Sequence, residues 1–568
     1  MERPSPNSVR TANALVSLVV LLASQLPFGR PQLSKPNIVI ILADDLGWND
    51  LSFHGSDQIP TPNLDALAYH GITLNNMYTQ PVCTPSRVAL MTGKYPIKLG
   101  MQGPPTYGAE PNGLPLTEKL LPAYLKGLGY STKAVGKWHL GYYRKAYTPT
   151  RRGFESHMGY YTGYVSYYDY ILQDVYKDYG EFSGFDLRRN DTLAWDLVGK
   201  YATDVFTDEA VRLIKEQPAS KPLFLYLAHV AVHTGNYGKP LEAPQSEINK
   251  FKHIADPNRR TYAAMVSKLD ESVGRVVQAL YDKKMLENTI IVFMSDNGAP
   301  SFDDSGRNFP ANAGITPNWG SNFPYRGTKN TLWQGAVKSA AIVWAPQFQR
   351  SPRVSQQLMH ITDWLPTLYT AAGGNTEILP KDLDGVDQWM PLTLNTPSQR
   401  RDVLLNIDEK LRYAGIVKDN WKLVIGSTLN GTLDGFFAAV RSQKQYDVMG
   451  VVESVTARAL SRVSDALFLP KPEPTDMLAL RYEATVRCGP SAGPRAPSPC
   501  PQGEACLFDL LNDPCETRNV VRKYLTVGID LYEKLKEYRR QLVPQTNVPY
   551  DVAANPARFN NTWVSWVY

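Results

Sequence analysis

Short apolar runs that alternate with helical patterns constrain the fold of this chain more than any other feature. Four runs have the composition of strands buried on both faces of a parallel sheet. Between them lie amphipathic segments such as 61–71, where Thr61 is a predicted N-cap and Pro62 the first helical residue. This alternation predicts an α/β domain. The four runs are NIVIIL (37–42), YSTKAV (130–135), LFLYLA (223–228) and TIIVFM (289–294).

The chain is long enough for two domains. Its 568 residues exceed what one hydrophobic core usually accommodates. The α/β pattern covers residues 36–395, and residues 396–568 have a different pattern of apolar and polar residues. There, segments 413–426 and 504–514 have the pattern of antiparallel strands, whereas 471–506 is rich in Pro and Gly and is predicted to be a loop or insertion. We therefore expect a smaller C-terminal α+β domain.

The N-terminus has the layout of a signal peptide. Arg3 and Arg10 precede the apolar run ALVSLVVLLA, which is too short to span a bilayer. We expect residues 1–25 to be the signal peptide, with a buried N-terminal helix as the alternative, and no membrane span in the mature chain. The net charge is +6 without a long basic run, which disfavours nucleic acid as a partner.

Entry into the secretory pathway, either to lysosomes or for secretion, would permit disulfides and glycosylation. Four cysteines near the C-terminus are an even number and allow three disulfide pairings, and the absence of histidines at finger-like spacing disfavours zinc. The fifth, Cys83, stands apart in TQPVCTPSR at a predicted helix start, where it could be a nucleophilic thiol or a buried structural cysteine. The late cysteines are Cys488, Cys500, Cys506 and Cys515, and the glycosylation sequons are at Asn190, Asn430 and Asn560.

Polar residues follow each of the four predicted strands. Because binding sites in open α/β sheets form outside the carboxyl ends of the strands, we expect these residues to share one site. Oxygen ligands favour Ca²⁺ or Mg²⁺ over zinc, and a metal combined with Lys and His can hold a tetrahedral oxyanion. Helix capping by the aspartates and a structural role for His229 are the alternatives. The residues are Asp44, Asp45, Lys137, His139, His229, His233, Asp296 and Asn297.

Five segments, taken in order, resemble the active-site motifs of type I sulfatases. CTPSR has the C-x-P-x-R form of the family signature and GKWHLG matches the second signature, while ADDLGWND, SDNG and RGTK are similar to the remaining segments. The chain is most similar to the arylsulfatase B group (N-acetylgalactosamine-4-sulfatases), with the related I and J types. The resemblance implies an alkaline-phosphatase-like large domain, whose mostly parallel sheet lies between helices, and a smaller domain with an antiparallel sheet.

The resemblance also implies the chemistry. Cys83 would be oxidised to formylglycine by the formylglycine-generating enzyme, and one Ca²⁺ ion would be held by Asp44, Asp45, Asp296 and Asn297 together with residue 83. Arg87 and Lys137 would stabilise the formylglycine, and His139 would orient or deprotonate its hydrated form. His233 and Lys329 would bind the sulfate, with His233 a candidate acid for the leaving oxygen.

The resemblance implies a sulfated N-acetylgalactosamine of glycosaminoglycans as the substrate, with small sulfated metabolites such as glucosinolates as the alternative. Two other functions remain open at this point: phosphate ester hydrolysis, and binding of sulfated glycans without turnover. This sequence departs from the family pattern in places. We expect these departures to affect the pocket wall and the substrate preference more than the reaction itself. They are TGNYGKP after His233, and Gln334, Ala336 and Lys338. The tyrosine-rich segment 159–182 offers rings for stacking, although surface packing is the default expectation.

Overall fold

The architecture follows from where the apolar runs place buried strands. The computed structural model describes residues 35–301, 316–437, 444–489, 500 and 504–567, and the predicted signal peptide lies outside them. Residues 36–568 cluster as one compact unit, and the division into domains at residue 395 stays a prediction. The described strands are β1 (Asn37–Ala43), β2 (Ile72–Leu74), β3 (Met77–Tyr78), β4 (Ser131–Lys137), β5 (Ser156–Tyr160), β6 (Ile171–Tyr176), β7 (Gly180–Phe185), β8 (Arg188–Arg189), β9 (Thr192–Leu193), β10 (Leu223–Ala228), β11 (Thr289–Ser295), β12 (Ala341–Trp344), β13 (Arg353–Ser355), β14 (Met359–His360), β15 (Asp402–Asp408), β16 (Tyr413–Lys418), β17 (Trp421–Ile425) and β18 (Ala505–Asp509).

Thirteen described α-helices lie between or after these strands. The helix begins at Pro62, after the predicted N-cap Thr61, and ends at His70, before Gly71. No described helix is long and apolar enough to cross a membrane. The described α-helices are α1 (Pro62–His70), α2 (Cys83–Thr92), α3 (Leu121–Gly127), α4 (Ala202–Glu216), α5 (Gln245–Ile248), α6 (Pro257–Asp282), α7 (Gln334–Val337), α8 (Trp364–Ala371), α9 (Trp389–Leu394), α10 (Val448–Val452), α11 (Val455–Leu467), α12 (Pro474–Ala484) and α13 (Leu525–Arg539).

The four predicted strands form the centre of a large mixed sheet. Within the described residues this sheet has the order β13-β2-β12-β11-β1-β10-β4-β5-β8-β9. β1 pairs in parallel with β10 and β11, and β10 pairs in parallel with β4, so four neighbouring strands end at the same edge. The fold class inferred from the sequence is confirmed.

Both faces of the central sheet are covered by helices, as its apolar runs require. Val39 and Ile41 pack into a core that includes residues of α4 and α6. Ile38, Ile40 and Leu42 face the opposite way, into a second core with residues of α2, α3 and α8. Because successive side chains of a strand point to opposite faces, only a nearly continuous apolar run fits this environment.

The C-terminal region contributes a four-stranded antiparallel sheet in the order β15-β16-β17-β18. β16 and β17 form the predicted hairpin, and β18 is the predicted final strand. Two disulfides, Cys488–Cys515 and Cys500–Cys506, give one of the three possible pairings. The prediction of a loop throughout 471–506 was wrong in part, since α12 begins at Pro474 behind a capping box between Glu473 and Asp476.

A buried ion pair links the C-terminal sheet to helix α7, which precedes β12 of the large sheet. Lys422 on β17 lies 2.6 Å from Glu516, and both side chains are fully buried. Glu516 also accepts a hydrogen bond from the backbone N–H of Gln334, the first residue of α7. Removal of one partner from such a pair leaves an uncompensated charge inside the protein.

We expect Lys422→Met to lower the free energy of unfolding by about 3–5 kcal/mol, because Glu516 would stay buried without its cation. The matched control is Lys418→Met on the adjacent strand, whose partner Asp530 is 57% exposed. That variant should cost less than about 1 kcal/mol. Urea unfolding of both variants tests the assignment, and equal losses would contradict it.

Candidate functional site

The parallel strands bring the predicted polar residues to one edge of the sheet. Asp44 and Asp45 follow β1, and Asp296 and Asn297 follow β11. The backbone N–H of Asp45 donates to the Asp296 carboxylate at 3.3 Å, which joins the two strand ends directly. Lys137 is the last residue of β4, which runs two residues beyond the predicted strand.

Cys83 lies among these carboxylates at the start of α2. Its Sγ is 3.4 Å from Oδ1 of Asp44 and 3.9 Å from Oδ1 of Asp45. Potential ligand atoms of Asp44, Asp45, Cys83 and His233 all lie within 4.8 Å of one another. Cys83 is the described cysteine without a disulfide, and it is buried.

Three cations pair with the three carboxylates. Nη2 of Arg87 lies 2.8 Å from Asp296, and Nζ of Lys137 lies 2.7 Å from Asp44. Nζ of Lys329 lies 2.7 Å from Asp45 and 3.4 Å from Sγ of Cys83. Lys329 therefore lies in the cluster and is not a solvated loop residue.

The charged groups of the cluster are buried, and each shifts the pKa of its neighbours. Burial alone would raise the pKa of Asp44, but Lys137, His233, Arg87 and Lys329 together hold it below its ordinary value. Burial also raises the pKa of Asp296 to about 6, and the neighbouring Asp44 adds to that rise. Three carboxylates at this separation need several positive charges nearby.

The donor set fits a hard divalent cation. Asn297 donates from Nδ2 to Oδ1 of Asp45 at 2.6 Å, whereas its buried Oδ1 has no hydrogen-bond partner among the described residues. A buried amide oxygen without a donor is costly unless something else binds it. Together with the carboxylates of Asp44, Asp45 and Asp296, this oxygen would complete a set typical of Ca²⁺.

His139 and His233 flank the cluster. His139 bonds to the carbonyl of Thr106 through Nε2 at 2.9 Å, and its buried Nδ1 has no partner among the described residues. His233 bonds to the carbonyl of Thr234 through Nδ1 at 2.7 Å, and its Nε2 is 3.5 Å from Oδ2 of Asp45. Burial lowers the pKa of both rings, and most strongly that of His139.

His229 has a different environment. It is fully buried, and its Nε2 lies 2.9 Å from Oγ of Ser272 on α6. Burial lowers its pKa to about 3. These contacts fit the alternative that His229 has a structural role and does not belong to the site.

The surroundings of Cys83 do not favour a nucleophilic thiol, one of the two alternatives for this residue at a predicted helix start. The thiol is 1% exposed, and burial raises its pKa despite the nearby Lys137 and Lys329. A buried thiol with a raised pKa is a poor nucleophile, because the thiolate is the reactive form.

The site opens into a cavity of about 330 Å³, which we call the Cys83 cavity. Asp45, Cys83, His139, His233 and Lys329 contribute to its wall. Arg87 and Lys137 are almost fully buried behind the carboxylates and do not belong to the described lining. The volume lies at the lower end of the range for small-molecule sites.

Two further residues hold the site without having been singled out in the sequence. Tyr226 on β10 accepts a hydrogen bond from Arg87 at 3.3 Å. Asn318 donates from Nδ2 to the carbonyls of Asp45 at 2.9 Å and Val232 at 3.1 Å. Tyr226 was not singled out because it lies within the apolar run 223–228. Asn318 was not singled out because no predicted strand ends just before that residue.

The departures from the family pattern fall in two places. Gln334, Ala336 and Lys338 do not belong to the described lining of the Cys83 cavity, and Lys338 instead stacks over the ring of Tyr325 at 5.2 Å. The segment after His233 does line the cavity, through Thr234, Gly235 and Tyr237. The expected effect on the pocket wall thus applies to this segment.

Comparisons with known proteins identify the family and relatives of this chain. The sulfatase family model matches residues 36–374. Arylsulfatase J of Mus musculus is 34% identical over 536 residues, which cover 94% of this chain and 80% of that protein. N-acetylgalactosamine-6-sulfatase of Homo sapiens is 32% identical over 387 residues, which cover 63% and 66%.

Solved structures show the same fold. The crystal structure of Ps i-CgsB matches with a TM-score of 0.67 and 25% identity, over 93% of this chain and 100% of that one. The PsFucS1 sulfatase from Pseudoalteromonas sp. matches with a TM-score of 0.63 and 24% identity, over 96% and 97%. Given the family match, the similarity to arylsulfatase J and the shared fold, this chain belongs to the sulfatase family of enzymes.

Proposed function

We propose that this enzyme hydrolyses sulfate esters with a formylglycine made from Cys83 and one bound Ca²⁺ ion. The observation that carries the proposal is the position of Cys83, whose Sγ lies within 4 Å of two carboxylates and of Lys329 in the wall of a cavity. The raised thiol pKa supports a role for residue 83 other than direct attack by a thiolate.

The modified side chain would act through its hydrated aldehyde. One hydroxyl of the hydrate attacks sulfur and the alcohol leaves, after which the second hydroxyl loses its proton, the aldehyde re-forms and sulfate departs. A Ca²⁺ ion held by Asp44, Asp45, Asp296 and Asn297 would lower the pKa of the attacking hydroxyl and offset sulfate charge.

The side chains that line the cavity would handle substrate and protons. Lys329 would bind a sulfate oxygen, and the 3.4 Å distance of its ammonium group from Sγ of Cys83 supports this role. His233 has Nδ1 tied to a backbone carbonyl, so its Nε2 faces the cluster. When the ring carries protons on both nitrogens, Nε2 is the candidate donor to the leaving oxygen. His139 also lines the cavity and would orient or deprotonate the hydrate.

Arg87 and Lys137 have a positioning role in this proposal. They bond to Asp296 and Asp44 at 2.8 and 2.7 Å and have side chains that are 0% exposed. Their charge would stabilise residue 83 and hold the carboxylates in place, as buried charge pairs do when geometry is good.

For the substrate we propose a sulfated sugar, with N-acetylgalactosamine as the first sugar to test. The 32% identity to a human N-acetylgalactosamine-6-sulfatase supports a sugar, and small sulfated metabolites are the alternative. We also propose passage through the secretory pathway, where the formylglycine-generating enzyme would act. The exposure of Asn190, Asn430 and Asn560, as well as the two disulfides, supports that route.

Cys83→Ala should abolish sulfate ester hydrolysis while the fold is kept, because it removes the nucleophile. With 4-nitrophenyl sulfate, kcat should fall by on the order of 10³-fold or more. The circular dichroism spectrum should match that of the unsubstituted protein.

Matched 4-nitrophenyl phosphate separates the alternatives in the same experiment. Turnover of the phosphate in preference to the sulfate would favour a phosphatase. Binding of sulfated sugars without turnover of either ester would favour a binding protein. Undiminished sulfate turnover by Cys83→Ala would refute the proposed mechanism outright.

Calcium should stabilise the folded protein, since it would bind the carboxylate cluster only in the native state. At a concentration 100-fold above the dissociation constant, the gain should be about 2.7 kcal/mol. Asp45→Asn should lose most of this gain, whereas Asp178→Asn on the exposed turn between β6 and β7 should keep it. Thermal unfolding with calcium and with a chelator measures both, and equal gains in the two variants would place the ion elsewhere.

A further inference from the structure

Two segments that the sequence analysis left without a function form the outer wall of the Cys83 cavity. One is the tyrosine-rich stretch, which folds into the β6–β7 hairpin and contributes Gln173, Asp174 and Val175. The other is the segment after His233, which contributes Tyr237. Val175 is 75% exposed and Tyr237 is 87% exposed, so both stand at the open end of the cavity.

Contacts with Trp563 and Tyr164 hold the outer wall in place. The indole nitrogen of Trp563 donates to the carbonyl of Leu172 at 3.3 Å, and Tyr164 donates to the carbonyl of Gln173 at 2.8 Å. The ring of Tyr164 also stacks on His233, with centroids 5.3 Å apart. The hairpin therefore has a fixed position relative to the candidate proton donor.

Asp174 presents a carboxyl group in this wall. Its Oδ2 accepts hydrogen bonds from the backbone N–H of Gly108 at 3.0 Å and from Tyr176 Oη at 2.8 Å. No described residue donates to its Oδ1. Burial raises the pKa of Asp174, while both hydrogen bonds lower it.

The charges of the cavity are unevenly distributed. Among the described lining residues, Lys329 is the one Lys or Arg, and it is paired with Asp45 next to Cys83. The described wall also includes Asp174 and the ring of Tyr107, with the exposed side chains of Val175 and Tyr237 at the open end. A second anionic group on a substrate would therefore lie near the carboxyl group of Asp174. No cation among the described lining residues would compensate the repulsion between the two groups.

We propose that Asp174 makes this cavity selective for sulfate esters whose remaining part is an uncharged ring, with the sulfate as the only anionic group. Aromatic side chains at the mouth favour the flat face of an aryl group or a neutral sugar. A sugar with a carboxylate on its outward side would be disfavoured by like charge at low effective dielectric. This inference rests on the proposed sulfate ester hydrolysis.

Two aryl sulfates of matched length test the proposal. 4-Ethylphenyl sulfate is neutral beyond its sulfate, whereas 4-(carboxymethyl)phenyl sulfate carries a carboxylate at the outer end. The full-length protein, made with the formylglycine-generating enzyme, should have a kcat/KM for the ethyl ester that is higher by on the order of tenfold.

Variants of the wall should change this preference. Asp174→Asn keeps an oxygen that can accept the two hydrogen bonds and should reduce the preference on the order of tenfold. Val175→Lys alters an exposed side chain, so the protein should fold, and its added cation should shift the preference the same way. Asp178→Asn, on the exposed turn beyond the cavity, is the control that should leave the ratio of the two kcat/KM values unchanged.

The outcomes separate the two levels of the proposal. Turnover of both esters with equal kcat/KM, or a ratio that neither Asp174→Asn nor Val175→Lys alters, would overturn the role of Asp174 and leave sulfate ester hydrolysis standing. Turnover of neither ester by protein that carries formylglycine would overturn the proposed function, and this inference with it.

Discussion

Cations neutralise three buried carboxylates at one edge of the central sheet, and the candidate site is built around these pairs. Asp44, Asp45 and Asp296 lie at the ends of adjacent parallel strands, all less than 2% exposed. Carboxylates so close together, away from water, are stable only when cations compensate them. The compensating cations Arg87, Lys137 and Lys329 come from three different segments of the chain, so the cluster joins elements that are far apart in the sequence.

The topology of the sheet explains why the charged side chains and Cys83 lie together. The carboxyl ends of β1, β4, β10 and β11 meet at one sheet edge, and helix α2 brings Cys83 to the same place. Arg87 lies one turn into that helix and reaches Asp296 and Tyr226. A helix that carries both Cys83 and one of the compensating cations ties the position of residue 83 to the charge balance of the cluster.

The sequence carries enough information for the sheet and for the residues placed at its edge. Apolar runs such as 37–42 have few other stable environments, and parallel pairing then brings their polar successors together. Lys329 could be placed only by its resemblance to a family segment, because no strand precedes it. Its distance of 2.7 Å from Asp45 then accounts for a lysine at that position.

Other features depend on contacts that local sequence does not encode. The disulfide pairing is set by how β18 and its neighbouring loops fold, so spacing alone leaves three choices. Helix α12 was concealed by flanking prolines and glycines, although Pro474 is well suited to a first helical turn. The wall of the Cys83 cavity depends on Trp563, which lies nearly 400 residues beyond the hairpin that it supports.

The central claim is that residue 83 is a formylglycine held among carboxylates and cations. The most direct test is mass spectrometry of the peptide that contains residue 83, from protein made in a secretory host known to modify other sulfatases. We predict a mass that matches formylglycine in place of cysteine. An unmodified cysteine in that host would contradict the account and leave the cluster without the nucleophile that its arrangement is proposed to serve.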